Sequence, residues 1–304
     1  MSFAKRLLLY ADFIKISHTV FALPFALAAM LIAARDNRGW PGWRVFTLIL
    51  LAMTGARTCA MAFNRLADRN FDGKNPRTAR RHLPAGAISV PAAWMVCLSG
   101  AAILVGASYF LNPLCFWLSP VALFLVCFYS LTKRFTDYTH VWLGLALGIA
   151  PIGAWLAVHG GIYFTPISRS IVFPILLAVA VVLWLIGFDI IYALQDYEFD
   201  RRSGLRSLVV AWGPKNALRA AFLAHMVMWG VLGGFGALCR FRIAYFIGLF
   251  LILICLLFEH WLARKRTAEA INTSFFKLNA VISFVFLIST ATEVIFPWVR
   301  FKLF

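Results

Sequence analysis

Nine apolar blocks, separated by short polar segments, dominate the chain. They run over about 18–34, 43–63, 90–111, 113–131, 141–159, 171–192, 216–238, 242–262 and 278–298. Each is close to the ~20 residues a helix needs to cross ~30 Å of hydrocarbon. The runs are continuous and do not alternate with period two, which excludes a β-barrel. The pattern predicts an all-α, polytopic integral membrane protein with about nine transmembrane helices in one bundle. No polar linker interrupts it, so residues 1–304 read as a single membrane domain. Residues 2–15 place Lys5, Arg6, Asp12 and Lys15 among apolar positions, which predicts an interfacial amphipathic segment, not a cleaved signal.

Composition agrees: 62% of the residues are hydrophobic and 13% charged, against roughly 25% charged in soluble domains. The net charge of +17 raises the question of nucleic acid, and its distribution answers it. With the N-terminus inside, the inner segments hold Lys5, Arg6, Lys15, the run from Arg65 to Arg81, Lys133, Arg134, the run from Arg201 to Arg219, and Arg264–Lys277. The outer segments hold only Arg35, Arg38, Arg44, Arg169, Arg240, Arg242, Arg300 and Lys302. This is the asymmetry of a cell-membrane protein whose N-terminus is cytoplasmic and, for nine spans, whose C-terminus is outside. Lipid, and not nucleic acid, is the partner it implies. The six cysteines lie in or beside apolar blocks without C-x-x-C spacing and read as buried hydrophobes.

Six of the twelve carboxylates fall in two short stretches. Asn64, Asp68 and Asp72 recur every four residues at the inner end of the second block, on one helical face. Asp189, Asp196 and Asp200, spaced by seven and four at the inner end of the sixth, share a face if that helix continues. Asp68–Asp196 and Asp72–Asp200 are each 128 apart, like a faint duplication. Ionisable groups at membrane depth mark functional sites by default. Carboxylates one turn apart repel unless a cation joins them, and oxygen ligands without Cys or His suit Mg2+ bound together with phosphates. Lys74, Arg77, Arg80, Arg81, Lys133, Arg134, Arg201, Arg202 and Arg206 flank the two stretches and would complement a magnesium-bridged diphosphate. The bland reading is that these residues are solvated helix ends. Arg57, two turns deeper on the Asn64 face, needs a buried partner: either Asp189 or an anionic substrate.

Asn64-x-x-x-Asp68-x-x-x-Asp72-Gly73, with Arg77-Thr78, Arg81, Leu83-Pro84 and Gly86, resembles the first signature of UbiA-type polyprenyltransferases. Asp189-x6-Asp196-x3-Asp200, with Gly204 and Ser207, is similar to their second, and Tyr129-x-x-x-Lys133 to a third motif. The likeness spans the chain in order. It implies magnesium held by Asn64, Asp68, Asp72, Asp196 and Asp200, with these four aspartates and Asp189 as the catalytic set. It implies Lys74, Arg77, Arg81, Lys133 and Arg206 on the diphosphate, and Arg57, Arg134 and Asp189 on the acceptor. The implied reaction moves a polyprenyl group from an allylic diphosphate to a phenolic acid, 4-hydroxybenzoate, in quinone biosynthesis. The His18-Thr-Val-Phe-Ala-Leu-Pro-Phe-Ala version of the first helix looks like a branch some of whose members use a dihydroxynaphthoate on a menaquinone route. His18 is then a helix-entry residue or a ligand.

Two other classes fit less well. Phosphatidyl-alcohol transferases need an Asp-x-x-Asp-Gly-x-x-Ala-Arg core that this chain lacks. A transporter would place its charges near the midplane, whereas these gather at one end.

Overall fold

The computed structural model describes residues 3–15, 21–164 and 170–296, and each of the nine apolar blocks carries a helix, with the short helices at 197–202 and 268–272 lying between blocks. His18, Arg169, Arg300 and Lys302 lie outside the described residues. A short helix α1 (Phe3–Phe13) is followed by α2 (Ala22–Ala33), α3 (Trp43–Lys74), α4 (Val90–Leu111), α5 (Pro113–Thr132) and α6 (Thr139–His159). Next come α7 (Val172–Ala193), α8 (Tyr197–Arg202), α9 (Leu208–Leu238), α10 (Ile243–Ala263), α11 (Ala268–Asn272) and α12 (Asn279–Ile295).

Among the described residues, eight helices are long and apolar enough to cross a membrane. The ninth expected span is represented by α2, whose 12 described residues are shorter than a full crossing. In α1, Leu7 and Leu8 are exposed and Phe13 is buried, as an interfacial segment requires.

Helix ends follow local chemistry. Ser89 accepts from the Ala92 N–H at the start of α4, and Asn112 accepts from the Cys115 N–H at the start of α5. These side chains satisfy backbone donors that a helix leaves open. Proline follows each cap, where its missing N–H does no harm. The Asn112-Pro113 pair thus divides two spans that one apolar run would have merged.

The outer surface carries Trp117, Phe124, Phe250 and Ile288, exposed as a lipid-facing girdle. The interior holds Trp155, Trp184, Tyr245, Phe25 and Phe286. Where α3 meets α4, glycines allow the backbones to touch. A Cβ on Gly100 would lie 2.5 Å from the Cys59 nitrogen, and one on Gly55 2.7 Å from the Leu104 nitrogen. Small residues at such crossings give close van der Waals packing where lipid supplies no hydrophobic drive between helices.

α3 is the element that matters most for the site. Its 32 residues run about 48 Å at 1.5 Å per residue, more than the ~30 Å of hydrocarbon. Its last turns therefore carry Asn64–Lys74 to the edge of the apolar layer. α7 behaves differently. A 3₁₀ turn, Leu194–Asp196, separates it from α8, so Asp189 and Asp196 do not share one unbroken helical face. The condition attached to that spacing is not met.

Candidate active site

A cavity of about 900 Å³ runs between α2, α3, α4, α5, α6 and α7. On α5 it is lined from Cys115 to Lys133, 18 residues, or about 27 Å along the helix. Its deep portion is apolar, with Ile49, Leu104, Leu111, Leu147 and Leu156 among the walls. Its mouth, at the C-terminal ends of α3, α5 and α7, is charged.

Two acidic pairs face this mouth. Asp68 and Asp72 project from α3 one turn apart, both buried. Lys133 Nζ stands 3.0 Å from Asp68 Oδ2, and the Asn64 amide donates to the same oxygen at 3.2 Å. Arg81 Nη1 donates to Asp72 Oδ1 at 2.7 Å. Asp196 and Asp200 oppose them from the α7–α8 corner. Arg77 grips Asp196 through Nε at 2.8 Å and through Nη2, and the Asn75 amide donates to it at 2.9 Å. Burial works against the Arg77 charge, but its bonds to Asp196 and Tyr192 outweigh that and hold its pKa above the ordinary guanidinium value.

Among the described residues, Asp68 Oδ1 and Asp72 Oδ2 are buried without a hydrogen-bond partner, Asp68 Oδ1 facing Arg134 Nη2 at 3.5 Å, and Asp200 lines the cavity without an ion pair. Ionised carboxylates are acceptors only, so these oxygens fit a cation. Among the described residues, no three His, Cys, Asp or Glu groups converge tightly enough to hold an ion alone. Two half-sites of two carboxylates each suit Mg2+, which binds through one or two carboxylates and completes its shell with water and phosphate.

Deeper along α3, Arg57 reaches the Lys15 carbonyl at 3.5 Å, and among the described residues its Nε has no hydrogen-bond partner. The pairing with Asp189 does not form. Asp189 instead takes His140 Nδ1 at 2.6 Å. Arg57 is left as a cavity-facing cation without a carboxylate.

Of the expected site residues, Asn64, Asp68, Asp72, Arg77, Arg81, Lys133, Asp196, Asp200, Arg57 and Asp189 all line the cavity. Three do not. Lys74 is exposed at the end of α3, since two residues beyond Asp72 is the far side of a helix. Arg134 donates to the Ala67 carbonyl at 2.6 Å, lies over the Phe71 ring and stands 3.5 Å from Asp68 Oδ1, so it meets α3 and that carboxylate from outside the cavity lining. Arg206 is exposed and donates to the Phe135 carbonyl at 3.1 Å. These three thus lie outside the cavity lining.

Arg65, Asn75 and Tyr192 line the cavity and were missed, as was His140, which reaches it through Asp189. Arg65 stands three and seven residues before Asp68 and Asp72, a helical spacing that could have revealed it.

What this arrangement defines is a membrane-embedded enzyme for an amphipathic, anionic substrate. Comparison with known proteins makes the class specific. The chain belongs to the UbiA prenyltransferase family, whose model matches residues 22–281. A 4-hydroxybenzoate octaprenyltransferase of Alcanivorax borkumensis is 33% identical over 229 residues, 75% of this chain and 76% of its own. One from Methylobacillus flagellatus is 30% identical over 251 residues, 82% of this chain and 81% of its own. The apo structure of a UbiA homologue from Aeropyrum pernix K1 is 30% identical and superposes with a TM-score of 0.80 over 90% of this chain and 96% of that one. A UbiA homologue from Archaeoglobus fulgidus, solved bound to GPP and Mg2+, shares the fold at a TM-score of 0.71 and 22% identity, covering 94% of this chain and 99% of that one.

Proposed function

We propose that this prenyltransferase moves a polyprenyl group from an allylic polyprenyl diphosphate to 4-hydroxybenzoate in quinone biosynthesis. The observation that carries this reading is the cavity itself: two opposed acidic half-sites, rimmed by cations, at the mouth of a long apolar recess. Named relatives that act on 4-hydroxybenzoate support the choice of acceptor.

Asn64, Asp68 and Asp72 on one side, and Asp196 and Asp200 on the other, would hold magnesium. The bound ions would neutralise the diphosphate as it departs. Arg77, Arg81 and Lys133 contribute further positive charge where the leaving group's charge develops, which is where fixed electrostatics lowers a barrier most. The apolar recess takes the tail and excludes water from the allylic cation.

The C–O bond to diphosphate breaks with its electron pair on the leaving group. The electron-rich ring carbon beside the hydroxyl forms the new C–C bond. The proton at that carbon is then lost to the released diphosphate, and aromaticity returns. Arg57 pairs with the acceptor's carboxylate, and Asp189 accepts its hydroxyl.

The charge asymmetry supports placing this mouth in the cytoplasm, with the enzyme in the cell membrane. Mass spectrometry of the product made by purified protein from a polyprenyl diphosphate, with 4-hydroxybenzoate or a dihydroxynaphthoate, tests the proposal. Prenylated 4-hydroxybenzoate, formed only with magnesium, is the expected product. Exclusive prenylation of the naphthoate would move the enzyme to the menaquinone route, and no prenylated product from either acceptor would overturn the reading.

A further inference from the structure

Of the cavity's carboxylates named above, Asp189 has the least ordinary partner. Asp68, Asp72 and Asp196 meet lysine or arginine, and Asp200 makes no ion pair among the described residues. Asp189 meets an imidazole. His140, in the first turn of α6, is 1% exposed and brings Nδ1 to 2.6 Å from Asp189 Oδ2 across 49 residues of chain. Among the described residues, Asp189 makes no other hydrogen bond. Because a carboxylate only accepts, Nδ1 must carry the hydrogen of this bond. Among the described residues, Nε2 is buried and has no partner. An unsatisfied buried polar atom asks for a reason, and here the ring's one bond is the one to Asp189.

We propose that His140 is a positioning residue for the phenolic acceptor, acting through Asp189 and resting on the prenyl-transfer reading above. By holding Oδ2, the imidazole stops the carboxylate from turning and leaves Oδ1 as the oxygen open to the cavity. The imidazole donates one hydrogen bond to Oδ2 and leaves Oδ1 to accept from a hydroxyl donor. Arg57, on α3 and lining the same cavity, supplies the complementary cation for the acid end of the substrate. A ring with a hydroxyl at one end and a carboxylate at the other is the ligand this pair of groups orders. The hydroxyl's bond to Asp189 also enriches the adjacent ring carbon, the atom that must attack.

The test uses three substitutions of different reach. His140→Asn keeps an N–H donor where Nδ1 sits, His140→Gln moves it out to the Nε2 position, and His140→Leu removes it. Two readouts are taken on detergent-purified protein: calorimetric binding of 4-hydroxybenzoate without prenyl donor, and steady-state kinetics for each substrate. His140→Leu and His140→Gln should lose about 10- to 100-fold in acceptor affinity and acceptor kcat/KM, the value of one charge-assisted hydrogen bond. His140→Asn should recover most of that loss, and KM for the polyprenyl diphosphate should stay within about twofold in all three.

The Asn-versus-Gln comparison carries the test even if the Leu variant fails to fold. Equal loss in Asn and Gln at matched thermal stability, or a parallel rise in donor KM, would make His140 scaffolding and overturn the proposal. Wild-type protein that binds 4-hydroxybenzoate with this same pattern but transfers no prenyl group would uphold the positioning role and sink the reaction assigned to it.

Discussion

Arg77 holds Asp196 with two nitrogens and rests 5.3 Å over the Tyr192 ring, so the loop after α3 is bound to the corner between α7 and α8. The two acidic half-sites come from chain segments more than a hundred residues apart, and this pair is one of the links that make them face each other. A planar guanidinium suits the task because it can bond a carboxylate now and a diphosphate oxygen on substrate entry.

Arg77→Ala should therefore reduce kcat/KM for the polyprenyl donor by about 10- to 100-fold, the range for one lost charge-assisted contact. Arg77→Lys should recover only part, because an ammonium offers a point charge in place of two directed donors. Donor kinetics, with thermal unfolding as a control, check this. Full recovery in the lysine variant would show that charge alone matters there.

How much of this was legible in the chain is best seen on α3 and α7. The apolar blocks located the helices because lipid demands unbroken apolar runs with internally satisfied backbones. The four-residue spacing of Asn64, Asp68 and Asp72 located one half-site because α3 continues as regular helix through Lys74. The same logic did not anticipate that Lys74, Arg134 and Arg206 stand outside the cavity lining, because nearness in sequence does not fix which side of a turn a residue faces. Lys133 and Arg134 are neighbours just past the end of α5, yet the turn there puts Lys133 in the cavity and Arg134 outside its lining. The 3₁₀ turn before Asp196 and the His140–Asp189 bond depend on tertiary packing, and no local pattern announces either.

Tail length should be tunable at Gly153. It lines the cavity, and a Cβ added there would have no neighbour within 4 Å. It lies 14 residues beyond Thr139, about 21 Å down α6 from the charged mouth. Gly153→Phe should fill that depth, leaving turnover of a geranyl donor near wild type while cutting kcat/KM for an octaprenyl donor at least tenfold. Burying a long tail's apolar surface is worth ~0.8 kcal/mol per CH₂, so even a few excluded carbons exceed that threshold. Side-by-side kinetics of the two donors decide it, and equal effects on both would mean the tail leaves the cavity above Gly153.

Arg57 separates acceptor recognition from the rest of the chemistry. Removing a buried partner of a charged pair costs roughly 2–5 kcal/mol, or about 30-fold to several thousand-fold in affinity. Arg57→Ala should show that loss for 4-hydroxybenzoate, and almost none for the polyprenyl diphosphate or for a phenol lacking the carboxylate. Competition binding with the three ligands is the check. An equal loss for acid and plain phenol would remove Arg57 from recognition.

Membrane orientation can be mapped without substrate. Single cysteines in the 75–88 loop and at residues 134–138 should react with an impermeant thiol reagent only from the cytoplasmic side, in a background lacking exposed native thiols. Residues 36–41 should react only from the opposite side, because the basic residues crowd the first face and are sparse on the second. The reverse pattern would turn the active site outward.

The central claim is that two acidic half-sites act together on one diphosphate. Asp68→Asn and Asp196→Asn each alter one half-site while keeping side-chain size, so the decisive measurement is magnesium-dependent diphosphate release by each folded variant. The account predicts that either substitution alone removes at least 99% of the release, and that EDTA does the same to wild-type protein reversibly, since losing one ligated metal forfeits several kcal/mol of charge stabilisation. Release close to the wild-type rate from either variant, or undiminished release in EDTA, would contradict it.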